Sequence, residues 1–207
     1  MLSRLAFLFV LFAAAVPAAT VMAAEPAADP SAGELLIASA AMQDPRFQHS
    51  VILILRHDAS GAFGVMINRP FGERPIAELL TEAGDDAGKD TKDTHLKGTI
   101  RLFLGGPVEP QYGFLIHGGD YRRPETLNLG NGLGITATKE ALRDIGRQQG
   151  PAKYLFALGY AGWAAGQLEA EIARHDWFTA PADADLVFDE ERGAVWERAL
   201  ARRTREL

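Results

Sequence analysis

Residues 159–169 read Gly-Tyr-Ala-Gly-Trp-Ala-Ala-Gly-Gln-Leu-Glu, and no other stretch restricts the fold as tightly. The run before it, Tyr154-Leu155-Phe156-Ala157-Leu158, has the length and apolar content of a buried strand. Beyond it, Ala165, Leu168 and Ile172 recur at helical spacing. The pattern predicts a tight strand-to-helix turn over the glycines, with Gly166 inside the helix and the helix dipole aimed above the sheet. The spacing G-x-x-G-x-x-x-G departs from the dinucleotide-binding G-x-G-x-x-G, and the turn holds no Ser or Cys nucleophile. Two readings stay open: glycines that let Trp163 and the helix pack against the sheet, or a turn that lines a ligand site.

The N-terminus predicts export. Met1-Leu2-Ser3-Arg4 is a short basic start, an apolar block follows from Leu5, and Val21-Met22-Ala23-Ala24 supplies small residues for cleavage. Residues 1–23 therefore read as a signal peptide and 24–32, rich in Ala, Pro and acids, as a disordered linker. The folded domain is expected over 33–207. An exported protein of a Gram-negative source would be periplasmic. The alternative is an uncleaved anchor, since Leu5 to Ala24 carries no charge and a bilayer span takes about 20 residues; contact with a membrane is expected only through that segment. The formal charge of −6 argues against nucleic acid, which needs a basic surface. With no cysteine, zinc-thiolate, Fe–S and cysteine-nucleophile chemistry are excluded.

The chain reads as one mixed α/β (α+β) domain. Strands are expected at 35–38, at 50–55 (a central strand buried on both faces) and at 62–68, stopped by Arg69-Pro70. A brief helix at 75–80 leads into a polar exposed loop, 81–98. A hairpin is expected from 102–104 through Gly105-Gly106-Pro107 to 113–117, then an irregular stretch over 128–134. Thr136 or Thr138 caps a helix over 139–149. Trp177 enters a Pro/Asp-rich loop, Leu186-Val187-Phe188 forms a short strand, and a last helix pairs Trp196 with Leu200.

The candidate binding residues lie at the turns: Asn68 and Arg69, the glycines Gly105 and Gly106, His117, and Tyr160, Gly162, Trp163, Gln167 and Glu169. Asn68-Arg69 at a strand end can hold an anion or brace a loop, and bracing is the commoner use. Glu169 suits the start of a helix. No histidine pair has metal-ligand spacing and no G-x-S-x-G frame is present, so no metal, cofactor or catalytic set is expected.

The assembled blocks resemble the YqgE/AlgH family. They are Leu35-Leu36-Ile37-Ala38, Met42-x-Asp44-Pro45-x-Phe47-x-x-Ser50-Val51, Gly61-Ala62-x-Gly64-Val65-x-Ile67-Asn68-Arg69-Pro70, Gly105-Gly106-Pro107-Val108 and the glycine stretch through Glu171, with Trp177, Phe188 and Trp196 in place. The resemblance implies one domain with a bifurcated, partly barrel-like sheet flanked by helices. It implies no particular reaction, and the family's "transcriptional regulator" label comes from an association with alginate control. Three positions depart from the pattern: Ala40 for proline, Tyr112 for arginine and His175 for asparagine. The leader departs further, because typical members lack one and an exported protein cannot sit on a promoter. The expectation is a non-enzymatic exported binding or accessory domain for a small ligand or protein partner. A small hydrolase using Glu169 or His117 with Arg69 on an anionic substrate is the alternative, and a DNA-binding regulator the third.

Overall fold

The computed structural model describes residues 30–84 and 96–204. The expected signal peptide and most of the linker lie outside the described residues, as does most of the 81–98 loop. Residues 96–98 are placed, with Lys97 N–H donating to the Gly146 carbonyl at 2.9 Å. The end of the linker is placed too: Pro30 is buried and Ser31 N–H donates to Glu34.

The architecture is α+β, a curled half-barrel of mixed but mostly antiparallel sheet with, among the described residues, five short α-helices on it. Strands β1 (Glu34–Ala38), β2 (Val51–Asp58) and β3 (Gly61–Met66) form an antiparallel meander, with a tight β2–β3 hairpin at Ala59-Ser60. All of Val51 to Leu55 is buried, as two-sided coverage of a central strand requires. A fourth strand, β4 (Pro70–Pro75), starts at the proline expected to end β3. It is an edge strand, where a residue with no N–H costs no ladder bond. Helix α1 (Ile76–Glu82) follows, then β5 (Thr99–Leu104) and β6 (Val108–Gly118).

β5 and β6 do not form the expected hairpin. Both pair with β9 (Tyr154–Ala164), β5 parallel on one side and β6 antiparallel on the other. After β6, strands β7 (Leu127–Gly130) and β8 (Leu133–Thr136) make a hairpin where irregular chain was expected. Its turn takes left-handed φ at Gly130, Asn131 and Gly132, 78°, 50° and 73°. Helix α2 spans Lys139–Gly146, shorter than expected, and the Thr138 side chain makes no capping bond.

The largest correction concerns the glycine stretch. β9 continues as strand to Ala164, and only then does the chain turn into α3 (Gln167–Ala173). Gly166 precedes the helix in a left-handed conformation, φ 74°, rather than lying inside it. Gly159, φ 72°, marks the fork of the sheet: β9 carries β5 before it and β3 after it, while β6 pairing runs one residue past it to Tyr160. At the fork a Cβ on Gly105 would lie 2.2 Å from the Gly159 carbonyl oxygen, and one on Gly106 2.0 Å from the Tyr160 carbonyl carbon. These glycines let the 105–107 segment cross the β9 backbone.

After α3, β10 (Trp177–Pro181) pairs with β1 where a loop was expected, and α4 (Ala184–Val187) replaces the expected strand at 186–188. Helix α5 (Val195–Ala201) closes the chain. His175, φ 59°, turns the chain between α3 and β10 in a conformation that asparagine tolerates better than most side chains. The curl nearly closes on itself, because the β7–β8 turn reaches β1 and β10. Asn131 Nδ2 donates to the Ala182 carbonyl at 2.9 Å, and a Cβ on Gly33 would strike the Leu129 carbonyl oxygen.

Three apolar layers result. The first fills the curl, with Leu35, Leu53, Ile116 and Leu155 under α4 and α5. The second lies on the opposite face of β1, β2, β3 and β9, where Leu168 of α3 meets Trp163 and Trp177. The third sits beneath α1 and α2.

Candidate functional site

The β9–α3 corner is built around one carboxylate. Trp163 on β9 and Trp177 on β10 meet edge to face, ring centroids 5.9 Å apart, and both indole N–H groups donate to Glu171 Oε2 at 2.8 Å. Gln167 Nε2 donates to Glu171 Oε1 at 2.9 Å, while Gln167 Oε1 accepts from Ala164 N–H at 3.1 Å. Helical spacing explains the arrangement, since Gln167 and Glu171 are four residues apart on one face of α3. Two large rings from different strands are thereby locked to the helix, with Trp163 7% and Trp177 2% exposed. In front of them opens a cleft of about 370 Å³ walled by Met42, Asp44, Arg46 and Phe47 of the β1–β2 loop and by Val108 and Gly162.

On the other face of β9 a second, larger hollow of about 780 Å³ occupies the mouth of the curl. Phe63, Phe114 and Tyr160 form its aromatic wall, with Phe63 and Tyr160 ring centroids 4.7 Å apart. Tyr112, 54% exposed, stands at the rim. The Tyr160 hydroxyl is pushed above its ordinary value, first by desolvation and then by the Glu109 carboxylate beside it. The two hollows share Val108, Gly162 and Trp163.

The structure brings Gly162, Trp163 and Gln167 to the cleft and Tyr160 to the aromatic hollow. Gly105 and Gly106 lie at the strand crossing beside them, fully covered by backbone. The remaining candidates are elsewhere. Asn68 accepts from Val51 N–H and donates to the His49 carbonyl, both at 2.9 Å. Arg69 donates to the Arg46 carbonyl at 2.7 Å and to that of Gln48, so this pair braces the loop that walls the cleft. Burial holds the Arg69 guanidinium below its ordinary value.

Glu169 faces away from the cleft, with Oε1 2.9 Å from His57 Nε2, while His57 Nδ1 lies 2.8 Å from the Pro30 carbonyl. Its own backbone N–H, then the His57 ring, hold the Glu169 carboxyl below the usual range. The imidazole is spanned by a carbonyl and a carboxylate, which leaves this His–Glu pair no ring nitrogen to offer a substrate.

His117 is fully buried, between the Gly118 carbonyl at 2.9 Å and Thr136 Oγ1 at 3.0 Å. It pairs across the sheet with Tyr154, at the far end of β9 from Trp163. Nine residues of strand separate those ends by about 30 Å at ~3.3 Å per residue. His117 and Glu169 therefore share no site, and acid/base catalysis by the two on one substrate is ruled out geometrically.

The buried imidazole yields a pH prediction. Desolvation lowers the His117 value below 6.5, so as pH drops through that value the unfolded chain takes a proton that the folded ring refuses. Stability is thus fullest above pH 6.5 and declines below it. Urea midpoints measured from about pH 7 down to 5, the range in which histidine titrates, should fall, and His117→Gln should flatten the decline. An identical slope in the variant would assign the effect to other groups.

Sequence reasoning missed Trp177 and the 42–47 loop as walls of the cleft, and it did not single out Glu171 as a site residue. The available signal was the Gln167–Glu171 spacing beside two tryptophans, the indole being a donor with no acceptor of its own.

Comparison with known proteins supplies the family. The AlgH-like family model matches residues 35–207, and the chain belongs to that family. A UPF0301 protein of Methylococcus capsulatus is 43% identical over 170 residues, covering 82% of this chain and 90% of its own. One from Xanthomonas axonopodis pv. citri is 42% identical over 173 residues, 84% of this chain and 89% of that one. Among solved structures, the AlgH protein from Pseudomonas aeruginosa superposes with a TM-score of 0.67 at 38% identity, covering 82% of this chain and 87% of that one. A Corynebacterium diphtheriae protein gives 0.65 at 25%, covering 85% and 88%.

Proposed function

We propose that this AlgH-like chain is a non-enzymatic binding or accessory domain that works after export from the cytoplasm, and that its ligand site is the cleft at the β9–α3 corner. The observation that carries the reading is Glu171. It is the carboxylate best placed to act in the cleft, and three side-chain donors already occupy its oxygens. An acid/base group needs a lone pair or a proton to exchange with substrate, and this one is committed to holding two indoles. Aromatic walls and fixed polar groups around an open hollow suit recognition instead. The reading extends to the candidates at the corner, Tyr160, Gly162, Trp163 and Gln167, with Asn68 and Arg69 as braces of the cleft wall. The acidic charge of −6 weighs against a nucleic-acid partner.

The test is a thermal-shift screen of metabolites and peptides on the folded chain. A ligand at a hundredfold excess over its Kd stabilises by about 2.7 kcal/mol and raises Tm measurably. Hits should quench tryptophan emission and lose their effect in Phe47→Ala. Turnover of any hit by the cleft would overturn the non-enzymatic reading. Recovery of a tagged full-length chain only in the cytosolic fraction would overturn export.

A further inference from the structure

Gly162 is a glycine that the fold does not require. Gly159 and Gly166 both adopt left-handed φ, and Gly105, Gly106 and Gly159 all face backbone closer than a Cβ allows. At Gly162 an added Cβ would meet only the Tyr160 ring, at 3.5 Å, an ordinary contact, and its φ is unexceptional. A strand-interior glycine with neither strain nor crowding of its own marks a place where another chain or ligand approaches.

The strand pairing shows what kind. On the β6 side, pairing along β9 ends at Val108 and Tyr160. From Ala161 to Ala164 β9 pairs only with β3, on its other side. The Ala164 N–H turns to the Gln167 side chain, on the side away from β3. Because peptide groups alternate along a strand, Gly162 presents its N–H and C=O to that same edge. Among the described residues no strand covers it. The edge is flanked on one face by the cleft of Trp163 and Glu171, and on the other by the aromatic hollow around Phe63 and Tyr160.

We propose that an extended segment of a partner polypeptide adds to the sheet along Ala161–Ala164, an inference that rests on the binding reading above. Side chains of an added strand alternate between faces, so each hollow receives its own set. The aromatic hollow above Gly162 takes an apolar side chain, and the missing side chain of Gly162 makes the room. The cleft takes a basic one: Asp44 is paired with Arg46 and Asp176 with Arg174, and Glu171, held only by neutral donors, leaves one net negative charge. The partner's recognised segment is an apolar residue flanked by Lys or Arg, bound through its main chain.

The probe is a set of acetylated, amidated octapeptides that alternate Lys or Arg with Val, Leu or Phe, titrated against the full chain by tryptophan fluorescence. Amide resonances are followed in parallel. Binding should shift the Gly162 and Ala164 amides. N-methylation of the residue opposite Gly162 removes a hydrogen bond and should weaken Kd by about tenfold. Gly162→Leu should keep Tm unchanged or raise it, since a β-former replaces glycine, while weakening binding as much or more. Equal affinity of the N-methylated peptides, or full affinity of Gly162→Leu, overturns strand addition. So does a small molecule that shifts the Trp163 indole when no peptide does, although that result leaves the cleft's binding role standing. A chain that binds neither peptide nor small molecule ends both.

Discussion

Gly106→Ala is expected to remove a large part of the stability of this fold, and Gly162→Ala, four residues before the α3 N-cap Gly166, none of it. A Cβ at Gly106 would sit 2.0 Å from the Tyr160 carbonyl carbon, 2.1 Å from its oxygen and 2.4 Å from the Ala161 nitrogen. All three are backbone atoms of the strand that joins the two parts of the sheet, so no side-chain rotation relieves the overlap. Either the 105–107 crossing lifts off β9 or the fork opens. Overpacking of a tight core costs about 1–3 kcal/mol even where side chains can shift. Here the cost should exceed about 3 kcal/mol, a large part of the 5–15 that holds a typical domain together. At Gly162 the nearest atom is 3.5 Å away, and replacing a strand glycine with alanine removes about 0.5–1 kcal/mol of unfolded-state entropy. Tm by calorimetry on both variants checks the contrast. A stable Gly106→Ala protein would mean that the crossing is looser than the geometry states.

The same crossing explains what the sequence could and could not disclose. Leu102-Phe103-Leu104 and Gly113 to His117 read as strands and are strands, but Gly105-Gly106-Pro107 looks like a hairpin turn at the level of neighbouring residues. That β9, arriving fifty residues later, inserts between β5 and β6 is a non-local fact, and no local propensity encodes it. Elsewhere the signal was present and outweighed. Residues 159–164 alternate Tyr160, Gly162 and Ala164 on one face with Ala161 and Trp163 on the other, a period of two that marks strand. The glycines suggested a turn instead. Asn131-Gly132 is a hairpin dipeptide. At 186–188, three apolar residues fit strand or helix equally, and the decision comes from Asp183, whose carboxylate accepts from Leu186 N–H at 2.9 Å and starts α4.

Of the candidate site, the residues legible in the sequence were those confined to one stretch: Tyr160, Gly162, Trp163 and Gln167. Arg69 and Asn68 read as loop braces and make bracing bonds. His117 and Glu169 stood out as titratable groups near turns, yet one is core and the other is matched to His57. Titratable character in a sequence says nothing of which way a side chain faces. The cleft itself needs Trp177, Phe47 and Asp44 from separate elements, and only the folded chain assembles them.

Glu171 is where structure and any function of the cleft meet. Glu171→Ala should cost about 2–6 kcal/mol, because it leaves the Trp163 and Trp177 indole N–H groups buried without an acceptor, at about 1–3 kcal/mol each. Glu171→Gln keeps one carbonyl oxygen for the indoles and exchanges charge-assisted bonds for neutral ones, so about 1–2 kcal/mol is expected. Replacing both sides at once, with Glu171→Leu in a Trp163→Phe, Trp177→Phe background, should recover much of the loss, since no donor is then left unpaired. Urea denaturation of the series measures this order. A reacting carboxylate would give the opposite pattern, with Glu171→Gln folding like the parent and losing whatever the cleft does. Equal stability of the parent, Ala and Gln chains would therefore remove the structural role of Glu171 and reopen a catalytic one. If the expected order holds, ligand affinity should follow stability down the series, because the carboxylate shapes the cleft by fixing the two tryptophans that wall it.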